Sequence, residues 1–209
     1  MNNELTLLEN LDEYFKDIDY AENAKILNED IYNLNVSNLE LINCDVNSTK
    51  FISCNFEKGF FKDCVFTACD LSATDFNNSS FKNVVFSGCK LNNSLLRNSF
   101  FDNVSFDGCV CKEIDLYNSK FKNTNITSSD FSYSIISDSK LSNLKVIDTN
   151  LMLANFSKSS LKGISFSTCN IDGIIVYQND LKGAIFSTDQ ALTFVKLLGI
   201  TIKDIPSNI

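Results

Sequence analysis

The sequence predicts an all-β solenoid, a coil of four flat sides with five residues to a side, and three observations predict it. An apolar residue stands at each of 32 consecutive steps of five from Ile31 to Phe186. Segments of one pattern, Phe61-Lys62-Asp63, Phe81-Lys82-Asn83, Phe101-Asp102-Asn103 and Phe121-Lys122-Asn123, return every 20 residues. Two residues before the apolar centre, 22 of the 31 positions from Leu34 to Ala184 are Ala, Ser, Thr, Cys or Gly, and none is charged. A period of five matches neither the helix nor the strand repeat. It closes if each pentad forms one side of a coil with a bend at its corner, so that four sides return the chain above its start.

The elements follow in order. Leu5, Leu8, Leu11, Phe15 and Ile18 recur at helical spacing, so residues 4–18 read as an amphipathic helix covering the first coil, whose strand edges would otherwise stay unpaired. Residues 1–30 are thus set apart as an acidic N-terminal helical cap. Residues 31–186 form the β-helix, about eight coils, roughly 38 Å long at ~4.8 Å per coil. The centre and the small residue before it point inward. The residue two after the centre is often Asn or Gly, as at Asn83, Gly88, Asn103 and Gly163, types that tolerate the positive φ of a type II turn. Residues 187–209 form a C-terminal helix and tail. Ser187, Thr188 and Asp189 offer N-caps, Ala191, Phe194, Val195 and Leu198 make one face, and Gly199 is the stop. Leu192 and Leu197 leave this helix apolar on a second side.

Small residue, Asp or Asn, Leu or Phe, a polar residue, then Asn or Gly: this unit, seen in Ala73-Thr74-Asp75-Phe76, Ser129-Asp130-Phe131 and Ala154-Asn155-Phe156, resembles that of the pentapeptide-repeat family. The resemblance covers roughly residues 31–186 and implies a right-handed quadrilateral β-helix. The stretch Leu181-Lys182-Gly183-Ala184, with Gln190-Ala191 and Leu197-Leu198-Gly199-Ile200, resembles the C-terminal end of the quinolone-resistance-type subfamily. That resemblance implies a head-to-head homodimer and makes a type II topoisomerase (DNA gyrase) the named candidate partner, with quinolone protection as the outcome. The alternative is a scaffold or adaptor for another protein.

Charge placement bears on that candidate, because acidic rods of the subfamily are described as mimics of duplex DNA. The net charge is −8, but residues 1–30 hold nine acidic and two basic side chains, whereas residues 31–186 hold 15 and 14. Duplex DNA carries one charge per ~1.7 Å, so a rod of this length would need about 22 negative charges to match it. Sorting pentads by side gives no acidic face. The side centred on Leu41, Phe61 and Phe81 instead carries Lys62, Lys82, Lys122, Lys162 and Lys182 at equivalent positions, with Lys120 and Lys140 beside them. This column is a candidate contact for an anion or an acidic partner, although lysines also keep a β-face soluble. No direct nucleic-acid binding is expected.

Tyr133, Ile135, Met152, Leu153, Ile175 and Tyr177 are apolar at outward positions of the last coils. Together with Leu192 and Leu197 they form the predicted dimer interface. Catalysis is not expected. There is no His, the glycines sit at corners, and an unbroken frame supplies no loop to wall a pocket. No cofactor or metal site is read. Seven of the eight cysteines fall at the small inward position and Cys111 at a centre, which marks them as buried thiols rather than ligands or bridges. With no basic, apolar leader at Met1-Asn2-Asn3-Glu4 and no membrane-length apolar run, a cytoplasmic protein with reduced thiols is expected.

Overall fold

The computed structural model describes residues 5–195, 199–201 and 203. Thirteen strands and two helices follow one another as β1 (Thr6–Leu8), α1 (Leu11–Tyr14), β2 (Tyr20–Glu22), β3 (Ala24–Leu27), β4 (Asp30–Tyr32), β5 (Glu40–Ile42), β6 (Asp45–Asn47), β7 (Lys50–Ile52), β8 (Phe60–Lys62), β9 (Val65–Thr67), β10 (Ser80–Ser87), β11 (Phe100–Asp107), β12 (Lys120–Thr127), β13 (Lys140–Ile147) and α2 (Thr188–Val195). All pairing is parallel; β3 lies over β1 at a spacing of 18, and every other strand pair joins residues 20 positions apart, as in Phe81↔Phe101 and Phe101↔Phe121. The result is a β-solenoid of about seven turns. Isolated bridges carry the ladder on to Ser165↔Ile185.

We number the sides by their centres: the first holds Leu41, Phe61 and Phe81, the second Val46, Phe66 and Phe86, the third Ile31, Phe51 and Leu71, the fourth Val36, Phe56 and Phe76. Every centre from Ile31 to Phe186 is buried except Leu141, Leu181 and Phe186, which are half-buried. Since coils stack at roughly 4.8 Å, identical residues one coil apart meet face to face. Phe61, Phe81, Phe101 and Phe121 stack at centroid distances of 4.9, 5.1 and 4.9 Å, and Phe66, Phe86 and Phe106 at 5.1 and 5.0 Å.

The small inward residues are also bonded. Ser79, Ser99, Ser119, Ser139 and Ser159 form a ladder in which each hydroxyl donates to a carbonyl of the coil below, such as Ser119 to Leu96 O at 2.9 Å. Each also accepts from the amide of the residue one coil earlier, such as Ser99 N at 3.1 Å. Cysteines do the former with sulfur, Cys64 Sγ donating to Leu41 O at 3.2 Å. A small polar atom at this position therefore fits the narrow interior and satisfies a backbone group that water cannot reach.

At the corners, the residue two after each centre is left-handed at every step from Asn23 to Lys158. Asn at consecutive coils adds a side-chain ladder: Asn103 Nδ2 donates to Asn83 Oδ1 at 2.9 Å and Asn143 Nδ2 to Asn123 Oδ1 at 2.8 Å. Even Tyr133 (φ 61°) and Leu153 (φ 57°) adopt this conformation, so the stacked fold overrides a local cost of roughly 1–2 kcal/mol.

The N-terminal end corrects one expectation. Residues 4–18 are not one helix. Only Leu11–Tyr14 is helical, and Thr6–Leu8 is a strand paired with Ala24–Leu27. A strand supplies the ladder partner that the lowest coil needs, which a helix lying across it cannot. Asn10, at φ 56°, turns the chain into the short helix, and Leu11 and Phe15 plug the open end. The ladder also reaches below Ile31, since Ala21, Ala24 and Ile26 are buried in the same phase.

At the other end, Ser187 and Gln190 form a reciprocal cap. Ser187 N donates to Gln190 Oε1 at 2.9 Å and Gln190 N to Ser187 Oγ at 3.3 Å. Gln190 Nε2 then donates to Phe166 O and Cys169 O, both at 2.8 Å, closing the exposed end of the coil. Phe194 packs on Phe186 at 4.5 Å, and Gly199 is left-handed as the stop requires. Leu197 and Leu198 lie outside the described residues.

Candidate interaction faces

The lysine column on the first side reads, coil by coil, Lys62, Lys82, Asp102, Lys122, Ser142, Lys162 and Lys182. In-register pairing places Lys62 under Lys82, Lys82 under Asp102 and Asp102 under Lys122. Asp102 ion-pairs with Lys122 at 3.0 Å, and Lys62 reaches Asp63 at 3.7 Å. Its lower part is thus interrupted and partly neutralised. In the upper part Lys120 stacks directly under Lys140, and no ion pair involves Lys120, Lys140, Lys162 or Lys182 among the described residues.

The apolar residues predicted for dimerisation divide. Tyr133 and Leu153 occupy successive corners between the third and fourth sides, with Tyr133 N donating to Met152 O at 2.9 Å and Leu153 N to Asp172 O at 2.8 Å. Ile135, Asn155 and Ile175 form one bridged column on the fourth side, with Tyr177 two residues beyond Ile175. Tyr133, Leu153, Ile175 and Tyr177 are exposed, while Ile135 and Met152 are half-buried. Tyr133, Leu153, Met152, Ile135 and Ile175 border the corner between the third and fourth sides, whereas Tyr177 stands beyond the centre Val176 toward the next corner. Leu192 is exposed on α2, which is held over Phe166 and Cys169 at a different corner, so the structure does not bring it to the others. Leu197 lies outside the described residues. Ile147 and Ile185 are exposed on the second side and escaped notice, although the outward-position rule that found Ile175 applies to them equally.

Some of the remaining charges form ion pairs. On the third side Asp30, Lys50, Asp70 and Lys90 alternate along one column, with Asp30–Lys50 at 2.8 Å. Two nitrogens of Arg97 contact buried Asp115, at 2.6 and 2.7 Å. The cysteines are all free and buried. Burial pushes the Cys54 thiol up to about 11 and raises Cys111 and Cys169 as well, the opposite of what a nucleophile needs, whereas hydrogen bonds from neighbouring thiols pull Cys44, Cys69 and Cys109 down. Among the described residues no three His, Cys, Asp or Glu converge as a metal would require. No helix there is long and apolar enough to cross a membrane. An open depression of about 500 Å³ at the N-terminal end is lined by Asp12, Glu13, Glu29 and Asp30 among others.

Two sequence profiles match this chain, the "pentapeptide repeat region" over residues 60–134 and "pentapeptide repeats (8 copies)" over 134–173, together more than half of its length. The chain belongs to the pentapeptide-repeat family. No curated protein sequence matches this pentapeptide-repeat chain. Among solved structures it is similar to a trypsin-treated variant of QnrB1, described as a plasmid-mediated fluoroquinolone resistance protein, with a TM-score of 0.53 and 17% identity over 86% of this chain and 100% of that one. It is also similar to HetL, a pentapeptide-repeat protein of the cyanobacterium Nostoc involved in regulating heterocyst differentiation, at TM-score 0.35 and 14% identity over 84% of this chain and 94% of that one.

Proposed function

We propose that this pentapeptide-repeat protein is a non-catalytic interaction module, and that binding to a type II topoisomerase with protection from quinolones is its leading specific role. The observation that carries the first part is the unbroken frame: flat sides and inward groups bonded to one another leave no cleft among the described residues where reacting groups converge. The specific role is supported by the fold likeness to QnrB1 and by the exposed apolar residues Tyr133, Leu153, Ile175 and Tyr177, which suit a C-terminal homodimer contact. DNA mimicry is not part of this reading, because residues 31–186 hold 15 acidic and 14 basic side chains and are nearly neutral. A gyrase supercoiling assay with ciprofloxacin tests it. The expected outcome is a rise in the drug concentration needed for inhibition when the protein is added; an unchanged inhibition curve overturns the topoisomerase role. Light scattering at micromolar concentration tests the dimer, and a monomer would remove it.

A scaffold or adaptor role for another protein is the second reading, favoured by the near-neutral coil. Buried, reduced thiols support a cytoplasmic location. Alkylation under native lysis followed by mass spectrometry should find no bridged pairs.

A further inference from the structure

Unpaired positive charge concentrates on the upper half of the first side. Lys120 and Lys140 stack in one outward column, and Lys162 and Lys182 follow at 20-residue spacing in the sequence. Exposed Lys145 stands just past the corner on the second side. Of the acids near this cluster, one is ion-paired and one keeps its charge while its carboxylate is held by backbone amides. Asp102 pairs with Lys122, and Asp180 Oδ2 accepts from the amides of Lys158 and Tyr177 at 2.9 and 3.0 Å. Asp148 lies on the far corner of the second side.

The same place carries a break in the corner ladder. The column Asn83, Asn103, Asn123, Asn143 continues as Gly163 and Gly183. With no side chain at Gly163, a notch of about 200 Å³ opens, lined by Leu144, Lys145, Val146, Ile147, Gly163 and Ser165. Nothing lies within 4 Å of where a Gly163 Cβ would stand. Its walls are thus aliphatic on one side and bordered by lysine on the other.

We propose that this surface, from Lys120 to Lys182 with the notch at Gly163, docks a short acidic peptide segment carrying one apolar residue. The charge selects carboxylates and the notch accepts a single aliphatic side chain. The four lysines span three to four coils, ~14–19 Å, a reach suited to a few extended residues. The acidic N-terminal residues limit the occupant's length. They start about six coils below Lys140, ~29 Å away, more than three Debye lengths of ~8 Å at physiological salt. A short segment confined to the upper coils escapes their repulsion, whereas a long polyanion lying along the whole rod does not. This proposal stands independently of the topoisomerase reading.

The test titrates the full-length protein against a fluorescein-labelled peptide of glutamates flanking one leucine, by fluorescence anisotropy at low and physiological salt. Saturable binding that weakens with salt is expected. Lys140→Glu with Lys162→Glu should weaken it roughly tenfold, and the corresponding double Gln variant by less. Gly163→Asn restores the ladder residue at a left-handed position that Asn tolerates, and fills the notch. It should weaken the leucine-bearing peptide about fivefold while leaving an all-glutamate peptide unchanged. Circular dichroism checks that each variant retains the β-fold. The proposal is overturned by absence of saturable binding at low salt, by binding that ignores the charge reversal, or by tighter binding of a single-stranded oligonucleotide.

Discussion

The two halves of the square differ in how the same five-residue unit is built. On the first and second sides, from coil 80 to coil 140, the chain runs as continuous eight-residue strands, β10 to β13, across the corner between them. On the third and fourth sides the same coils make only single bridges, and each pentad closes as a turn, with Ser94 N donating to Leu91 O and Ser134 N to Phe131 O. The residue before the centre accounts for much of this. On the turn sides it is often Asp or Asn, whose side chain accepts from the amide two residues on: Asn77 N to Asp75 Oδ1 at 2.8 Å, Tyr117 N to Asp115 at 3.0 Å, Ser132 N to Asp130 at 3.0 Å. Such local bonds compete with an extended backbone. On the strand sides the same position holds Val85 and Phe100, which favour extension, but also Ser80, Ser105, Lys120, Asn125, Lys140 and Lys145, so pairing with neighbouring strands carries the rest. Lys90 and Val110 lie on the turn side without a carboxamide of their own, yet follow the coils stacked below and above them. Stacking thus extends a local preference to neighbours that lack it.

The sharpest way to separate the two halves is through their interiors, which on the strand sides hold the phenylalanine stacks and on the turn sides above Phe76 a mixture of Leu, Ile, Val, Cys and Phe. Phe101→Ala removes the middle of a stack that is fully buried and should cost about 3–5 kcal/mol in urea unfolding. Leu96→Ala on the fourth side should cost about 2–4 kcal/mol, and an equal or larger loss there would break the contrast.

A smaller effect is expected where the halves meet, along the inward serines. Ser119→Ala strands Ser99 N and Leu96 O in the dry interior and should cost about 1–3 kcal/mol. Ser134, whose buried hydroxyl finds no partner, provides the control: Ser134→Ala should be neutral or slightly stabilising by the same measurement. The corner ladder follows. Asn103→Ala puts a Cβ-bearing, non-bonding residue at φ 57° and should cost about 1–2 kcal/mol. Asp75→Val, which trades the local bond for a strand former, should cost under ~1 kcal/mol and increase the strand signal in infrared spectra; no spectral change would remove the explanation given for the turn sides.

The last prediction concerns pH and the shared core. Cys54 titrates at an ordinary 9.0 when unfolded and near 11 when buried. The native state therefore keeps a proton that the unfolded chain releases. Its contribution is full below pH 9 and is lost as pH rises through about 11, so the urea midpoint should fall between pH 8 and pH 11. A flat profile across that range would mean the thiol is not held as described.

The period of five alone determined the square coil, its 20-residue rise, which residues fill it and which small residues line its inner wall, because burial in a stacked coil tolerates only one phase and any slip would turn charge inward. Charge placement along the chain likewise showed that the coil is nearly neutral. Other features depended on residues brought together across coils. The N-terminal leucines read as a helix because their spacing is helical, but the unpaired edge of the lowest coil claims Thr6–Leu8 as a strand. Asp102 and Ser142 were visible in sequence, yet only the in-register stack shows that they divide the lysine column and leave its upper part unpaired. The notch at Gly163 likewise arises only from two stacked coils, between Leu144–Ile147 and Gly163–Ser165. A single chain position carries its own preference for conformation and burial; contacts between coils decide which neighbour satisfies it.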